Sequence, residues 1–343
     1  MATEGGPEIE PRSAELLRVA TSRLAAEPRQ YTSLRTRPMR HLITFGDLKS
    51  AEIDRIFAIT EDLKAKYEQG LREPLLPGRV MALLFEKPSL RTRVSFEAGI
   101  AQLGGNSLFL GEDVGWGARE SIADFGRVLS EYVDVIVVRA KAHSKAVELA
   151  KFATCSVING LTDYEHPCQA MADLYTLREL NGPLAGQTLA YVGDGNNVAR
   201  SLARGCGKVG MKFKIACPKG YEFDKSFLAE LKRDVPTLKM TVTHDPCEAL
   251  RGADAVYTDV WASMGQEDEA DERRKLFKDY QVNERLMAYA PSSAWFMHCL
   301  PAKRGEEVCD DVIDGTQSVV VQQAANRLHV QKGILAWLLA AQA

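Results

Sequence analysis

From His41 onward the chain alternates short, nearly continuous apolar runs with amphipathic stretches of helical spacing. The runs at 80–85, 107–110, 135–138, 155–158, 188–192, 212–217, 239–243, 255–257 and 294–298 read as strands, and helical patterns fill most gaps between them. Apolar strands joined by helical crossovers form parallel sheets covered on both faces. In "RELNGPLAGQ", 178–187, Gly182, Pro183 and Gly186 end a helix ahead of a new strand and mark a boundary. The expected fold class is α/β, with two doubly wound parallel-sheet domains at 41–180 and 181–322 and a cleft between them.

Ligands of open parallel sheets bind beyond the carboxyl ends of the strands. Polar clusters occur there six times: "SLRTR" after "VMALLF", Arg139 after "VIVV", "HPCQ" after "SVINGLTDYE", "GDGNN" after "LAYV", "TDVWASMG" after "DAVY", and "HCLP" after "AWFM". Ser89, Arg91 and Thr92 fall in the first turn of a helix, where free N–H groups and the dipole favour an anion, and Arg91 adds a guanidinium fork. A capped helix with arginines paired to surface carboxylates is the plainer alternative. Arg139 suits either an anion or an interdomain salt bridge. Pro167 fits a first helical position, leaving His166 at the cap and Gln169 in the first turn. "GDGNNVA" lacks the third glycine of a dinucleotide fingerprint and reads as a tight turn presenting Asn196 and Asn197. Asp259 ends a strand ahead of an exposed, charged loop, where it would face a ligand or cap the next helix. Cys299 is either an inert buried thiol or a reactive or substrate-contacting one.

Composition narrows the classes. Hydrophobic residues are 45%, charged residues 26% and net charge is -3, so nothing favours nucleic acid or an anionic membrane surface. Seven cysteines form no CxxC pair, which speaks against a zinc site and a disulfide framework and for a reducing compartment. No run approaches the length of a membrane span. Residues 1–40 hold seven Arg, no Lys and five Glu, composition of a flexible extension with too many acids for an intact transit peptide, a trimmed remnant of one being the alternative.

Together the motifs "KPSLRTRVSFE", "HPCQ", "DVWASMG", "HCLP" and "NRLH" resemble those of the ornithine carbamoyltransferases, in the aspartate/ornithine carbamoyltransferase superfamily, over about 300 residues. The resemblance implies the carbamoyltransferase fold, a homotrimer with active sites at subunit interfaces, and no cofactor or metal. It implies carbamoyl phosphate at Ser89, Leu90, Arg91, Thr92, Arg139, His166 and Gln169, and ornithine at Asn197, Asp259, Ser263 and Met264. Cys299, Leu300 and Arg327 would border both substrates, and the helix in 323–343 would return to the first domain. Arg91, His166, Asp259 and Cys299 would serve catalysis. An intracellular setting is expected, a eukaryotic organelle matrix (chloroplast or mitochondrion) ahead of a bacterial cytoplasm.

Two positions depart from the family pattern. In "DVGWGARES", Gly115 stands where a Gln or His usually reaches a neighbouring subunit's phosphate site, which leaves Trp116 or Arg119 as substitutes, or else a weaker phosphate site, with the Trp116 aromatic also placed to narrow the substrate pocket; Ala325 stands where Glu is common. Other readings are a carbamoyltransferase for putrescine or an acylated ornithine, a non-catalytic carbamoyl phosphate-binding trimer, and, poorest, a dinucleotide oxidoreductase.

Overall fold

Residues 39–262 and 267–340 are described by the structure, a computed structural model. The nine strands are β1 (Val80–Phe85), β2 (Asn106–Leu110), β3 (Val135–Arg139), β4 (Ser156–Leu161), β5 (Thr188–Val192), β6 (Lys212–Ala216), β7 (Met240–Thr243), β8 (Ala255–Thr258) and β9 (Trp295–His298). The main helices are α1 (Ser50–Glu68), α2 (Leu90–Gln102), α3 (Ile122–Tyr132), α4 (His143–Phe152), α5 (Pro167–Asn181), α6 (Asn197–Val209), α7 (Lys225–Asp234), α8 (Ala270–Leu276) and α9 (Val320–Leu339). All pairings are parallel, in a four-stranded sheet of order β2-β1-β3-β4 and a five-stranded sheet of order β7-β6-β5-β8-β9. The two parallel-sheet α/β lobes expected from the apolar runs are therefore present.

Strand order reverses beside the first strand of each sheet, between β1 and β3 in one lobe and between β5 and β8 in the other. Chain segments diverge at such switch points and leave a crevice. "SLRTR" and Arg139 end the first pair; "GDGNN" and "TDVWA" end the second.

β4 runs three residues past the expected end. Asn159 and Gly160 look like turn residues in sequence, yet the buried Asn159 amide donates to Ile43 O and Glu165 O at 2.8 and 3.2 Å. Gly160 sits where a Cβ would lie 3.1 Å from Val137 and 3.4 Å from Thr92, so the missing side chain lets β4 lie close to its neighbours.

The buried helix α5 leads from the first sheet to the second, and α9 packs on α1, α5 and α2. Contact between α9 and α1 is close: a Cβ at Gly333 would lie 2.2 Å from Thr60 Oγ1, so any larger residue separates the helices. A single apolar core runs through α1, α5, α6 and α9 and one face of each sheet. Among the described residues, no helix is long and apolar enough to cross a membrane. The extension and targeting readings of residues 1–40 fall almost wholly on 1–38, outside the described residues.

Candidate active site

The strand ends of both sheets line a cavity of about 800 Å³. Of the residues singled out in the sequence, Ser89, Leu90, Arg91, Arg139, His166, Gln169, Asn197, Asp259, Cys299, Leu300 and Arg327 all face it. Thr92 stands behind the wall, fully buried, and Ser263 and Met264 lie outside the described residues.

Ser89 caps α2, its hydroxyl accepting from Thr92 N at 3.3 Å, and so directs the first turn of that helix at the cavity. The capped-helix alternative is thus half right: the cap is real, but Arg91 joins no ion pair among the described residues and lines the cavity. Arg93, two residues on, points elsewhere. Its Nε donates to Glu97 at 3.2 Å and its guanidinium lies 3.8 Å from the Phe109 ring centroid, so only one of the two corner arginines belongs to the site.

Arg139 and Arg327 complete a cationic cluster whose members join no ion pair among the described residues, though the field of the Asp173 carboxylate reaches Arg327. Arg139 is buried at the end of β3, and its Nε lacks a hydrogen-bond partner. Burial lowers its pKa to about 10, and the positive fields of Arg327 and Arg91 push the same way. Arg327 enters from α9: Nη1 donates to Gln169 Oε1 and Nη2 to Thr92 Oγ1, both at 2.9 Å. Its Nε is buried and unpartnered, and burial lowers its pKa too. Uncompensated buried guanidinium groups are costly to keep together. Their arrangement is that of an anion site.

Pro167 at the first helical position leaves His166 as the N-cap of α5, with no side-chain capping bond. A purely capping role for its ring is therefore ruled out. The imidazole Nδ1 is buried without a partner, and burial, then Arg327 and Arg139, hold its pKa well below the usual histidine value. The ring is neutral at physiological pH. Gln169 is fixed by two bonds, accepting from Arg327 and donating to Asp173 at 2.8 Å.

Across the cavity, the amide of Asn196 caps α6 through Val198 N and Ala199 N at 3.0 Å, and its Nδ2 donates to Asp259 Oδ2 at 2.9 Å. Asn197 bridges the lobes, donating to Thr162 O at 2.6 Å. Asp259 caps no helix; its Oδ1 accepts from Val260 N at 2.8 Å and from Cys299 Sγ at 3.0 Å. Burial and the nearby Asp259 raise the Cys299 pKa well above that of a free thiol, so the sulfur is a protonated donor.

His298, beside Cys299, escaped the sequence reading. It lies with Asp259 and Cys299 such that their ligand atoms are within 4.8 Å of one another. Both imidazole nitrogens are occupied: Nδ1 accepts from Leu300 N at 2.8 Å, which leaves Nε2 to donate to Glu307 at 3.2 Å. Cys299 donates to Asp259, while the His298 ring ties Glu307 to the Leu300 backbone. That tie sets the backbone of Leu300, whose φ of 57° is strained for a branched side chain by about 1 kcal/mol. Arg200, Tyr221 and Glu222 are further lining residues without a motif to flag them; the end of β6 was their one signal.

One expectation fails. The Trp116 indole is 3% exposed, packed on Phe125 and under the Lys145 ammonium, so it cannot reach out of its own lobe. Neither Gly115 nor Trp116 lines the cavity. Gly115 takes φ +68°, and a Cβ there would lie 2.9 Å from the Arg119 stem, which crosses it; Arg119 itself is exposed.

Comparison with known proteins places these features in context. Residues 40–179 match the family described as aspartate/ornithine carbamoyltransferase, carbamoyl-P binding domain, and residues 185–338 match its Asp/Orn binding domain. The ornithine carbamoyltransferase of Anoxybacillus flavithermus is 51% identical over 303 residues, 88% of this chain and 96% of that relative. The Bacillus subtilis ornithine carbamoyltransferase is 50% identical over 303 residues, 88% of this chain and 94% of its own length. The solved structure of the Pyrococcus furiosus ornithine carbamoyltransferase superposes with a TM-score of 0.84 at 48% identity, covering 87% of this chain and 96% of that one.

Proposed function

Because the chain belongs to the aspartate/ornithine carbamoyltransferase family, we propose that it transfers the carbamoyl group of carbamoyl phosphate to the δ-amine of L-ornithine, giving L-citrulline and phosphate, a step of arginine biosynthesis. One observation carries the reading. Arg91, Arg139 and Arg327, none of which joins an ion pair among the described residues, all line the cavity that Asn197, Asp259 and Cys299 also line.

Carbamoyl phosphate joins a phosphate dianion to an electrophilic carbonyl. The three guanidinium groups and the α2 N-terminus neutralise the phosphate. The neutral His166 ring and Arg91 donate to the carbonyl oxygen, and those contacts strengthen as negative charge builds on it in the tetrahedral intermediate. Gln169, held between Arg327 and Asp173, fixes the fork of Arg327 in place.

The incoming δ-amine has a pKa near ~10, as in lysine, and attacks only when neutral. Asp259, presented by Asn196 and Cys299, orients it and takes hydrogen bonds from it. Attack forms the C–N bond, collapse breaks the C–O bond to phosphate, and the departing phosphate takes up the surplus amine proton. Holding both substrates in line across the cleft supplies much of the acceleration. Asn197 and the Leu300 backbone border the amino-acid end.

A homotrimer fits the surface beside the site, where Leu90, Val94, Leu108 and Phe109 leave apolar area exposed. Within such a trimer, Arg119 is the side chain of its loop free to reach a neighbour's phosphate. Citrulline formation from carbamoyl phosphate with a panel of ornithine, putrescine and N-acetylornithine tests the function. Turnover with ornithine at least about tenfold above the others in kcat/KM is expected; none with ornithine overturns the reading. Sedimentation of the full chain tests the trimer.

A further inference from the structure

Arg273 is on the short helix α8, outside the cavity lining, and the scheme above gives it no task. For a residue on a charged outer helix it is oddly placed, being only 6% exposed. Its Nη1 donates to Asp194 Oδ2 at 2.8 Å and to Trp261 O at 2.9 Å, and its Nε donates to Glu269 at 3.0 Å. The guanidinium carbon lies 5.0 Å from the Tyr221 ring centroid. Asp194, Tyr221 and Trp261 belong to the loops beyond β5, β6 and β8, which form the second-lobe wall of the cavity.

The position of those contacts matters more than their number. Asp194 stands two residues before Asn196 and Trp261 two residues after Asp259, and Asn196 donates to Asp259. One planar group thus fixes both sides of that bond. Asp194 needs the cation: burial raises its pKa to about 6 even with Arg273 opposing the shift. Without the guanidinium, a nearly enclosed carboxylate loses its counter-charge, and the β5 turn has reason to move.

We propose that Arg273 is a positioning residue for the amino-acid substrate, holding Asn196 and Asp259 in register through Asp194 and the Trp261 carbonyl, with no part in gripping carbamoyl phosphate. This rests on the function proposed above. A merely structural arginine would lower thermal stability and weaken both substrates alike, since the three arginines of the anion site lie on β3, α2 and α9.

The test is steady-state kinetics of the full-length wild type, Arg273→Met and Arg273→Lys, with each substrate varied in turn below the unfolding temperature of the weakest variant. For Arg273→Met the KM for ornithine should rise at least about tenfold and that for carbamoyl phosphate stay within about twofold. Arg273→Lys, keeping the charge and losing the fork, should fall between. In an Asp194→Asn background the Arg273→Met effect on ornithine should shrink below about threefold, because the pair is already broken. Equal rises in both KM values, or an undiminished effect in that background, overturn the proposal. Failure of the wild type on ornithine would instead overturn the function; the clamp is then judged on whichever panel amine is used and on the carbamoyl phosphate-induced thermal shift, which Arg273→Met must preserve.

Discussion

Arg327 Nη2 donates to the Thr92 hydroxyl at 2.9 Å, a bond between residues 235 positions apart that joins the last long helix to the first turn of α2. With the Gln169 bond it fixes the plane of the guanidinium, so the C-terminal helix supplies one wall of the anion site. Arg327→Lys keeps the charge and loses the fork. A fall in kcat/KM of about 10²-fold is expected, with the fold retained. Steady-state kinetics with carbamoyl phosphate varied will check this, and activity within about threefold of wild type would refute the placement of Arg327.

Three guanidinium groups that join no ion pair among the described residues weigh on the free protein. Arg139→Met replaces the most enclosed of the first-lobe pair with an apolar stem of similar length, removing both its burial penalty and its repulsion toward Arg91 and Arg327. The variant should melt at a higher temperature than wild type when free, by an amount on the order of 1 kcal/mol. It should also lose the stabilisation by carbamoyl phosphate, which for wild type is about 2.7 kcal/mol at a hundred times Kd. Scanning calorimetry with and without ligand reads both; a less stable free variant with an intact ligand shift would show that the arginines are paired by something else.

Much of this architecture was legible because buried parallel strands are unbroken apolar runs, and their carboxyl ends are where a chain must place its ligand groups. What remained hidden depended on side-chain direction or on distant partners. Arg91 and Arg93 look alike in a string, but positions two apart on a helix face opposite ways, and Glu97 four residues after Arg93 was the available sign that Arg93 is paired. Trp116 reads as a candidate for reaching a neighbour because it stands beside Gly115, where the family usually has Gln or His; its burial comes from Phe125 and Lys145, later in the chain. His298 and Arg273 acquire meaning only from Glu307, Leu300, Asp194 and Trp261, contacts that no local pattern encodes.

Cys299 is half-buried like Cys247 and Cys309, but burial of its sulfur and donation to the Asp259 carboxylate keep its pKa raised, so it should be a poor nucleophile in the free enzyme despite facing the cavity. Iodoacetamide at pH 8 is expected to label Cys247 or Cys309, which are half-buried outside the site, well before Cys299. Asp259→Asn removes the negative charge that holds the proton on sulfur, and labelling of Cys299 should accelerate by about tenfold. The same variant should raise the KM for ornithine far more than that for carbamoyl phosphate. Peptide mapping gives the labelling order, and Cys299 reacting first in the wild type would contradict the protonated-donor assignment.

Glu165, the residue before His166, is fully buried at the seam between the lobes. Its Oε2 accepts from Phe45 N at 2.8 Å and from Ser201 Oγ at 3.2 Å; Ser201 in turn accepts from His166 N at 2.9 Å, and Arg204 Nε lies 3.0 Å from Oε1. Burial raises the Glu165 pKa from 4.5 to about 7, outweighing the pull of Arg204, which is shared with Glu230 and Asp234. The raised value means that the folded chain holds a proton the unfolded chain releases between pH 4.5 and 7. Stability from this group is therefore complete below pH 4.5 and is lost as pH rises through 7, a change on the order of 3 kcal/mol. Glu165→Gln cannot titrate. Its stability relative to wild type should improve steadily from pH 5 to pH 8 in urea unfolding, and parallel pH profiles for the two proteins would show that Glu165 is ionised throughout.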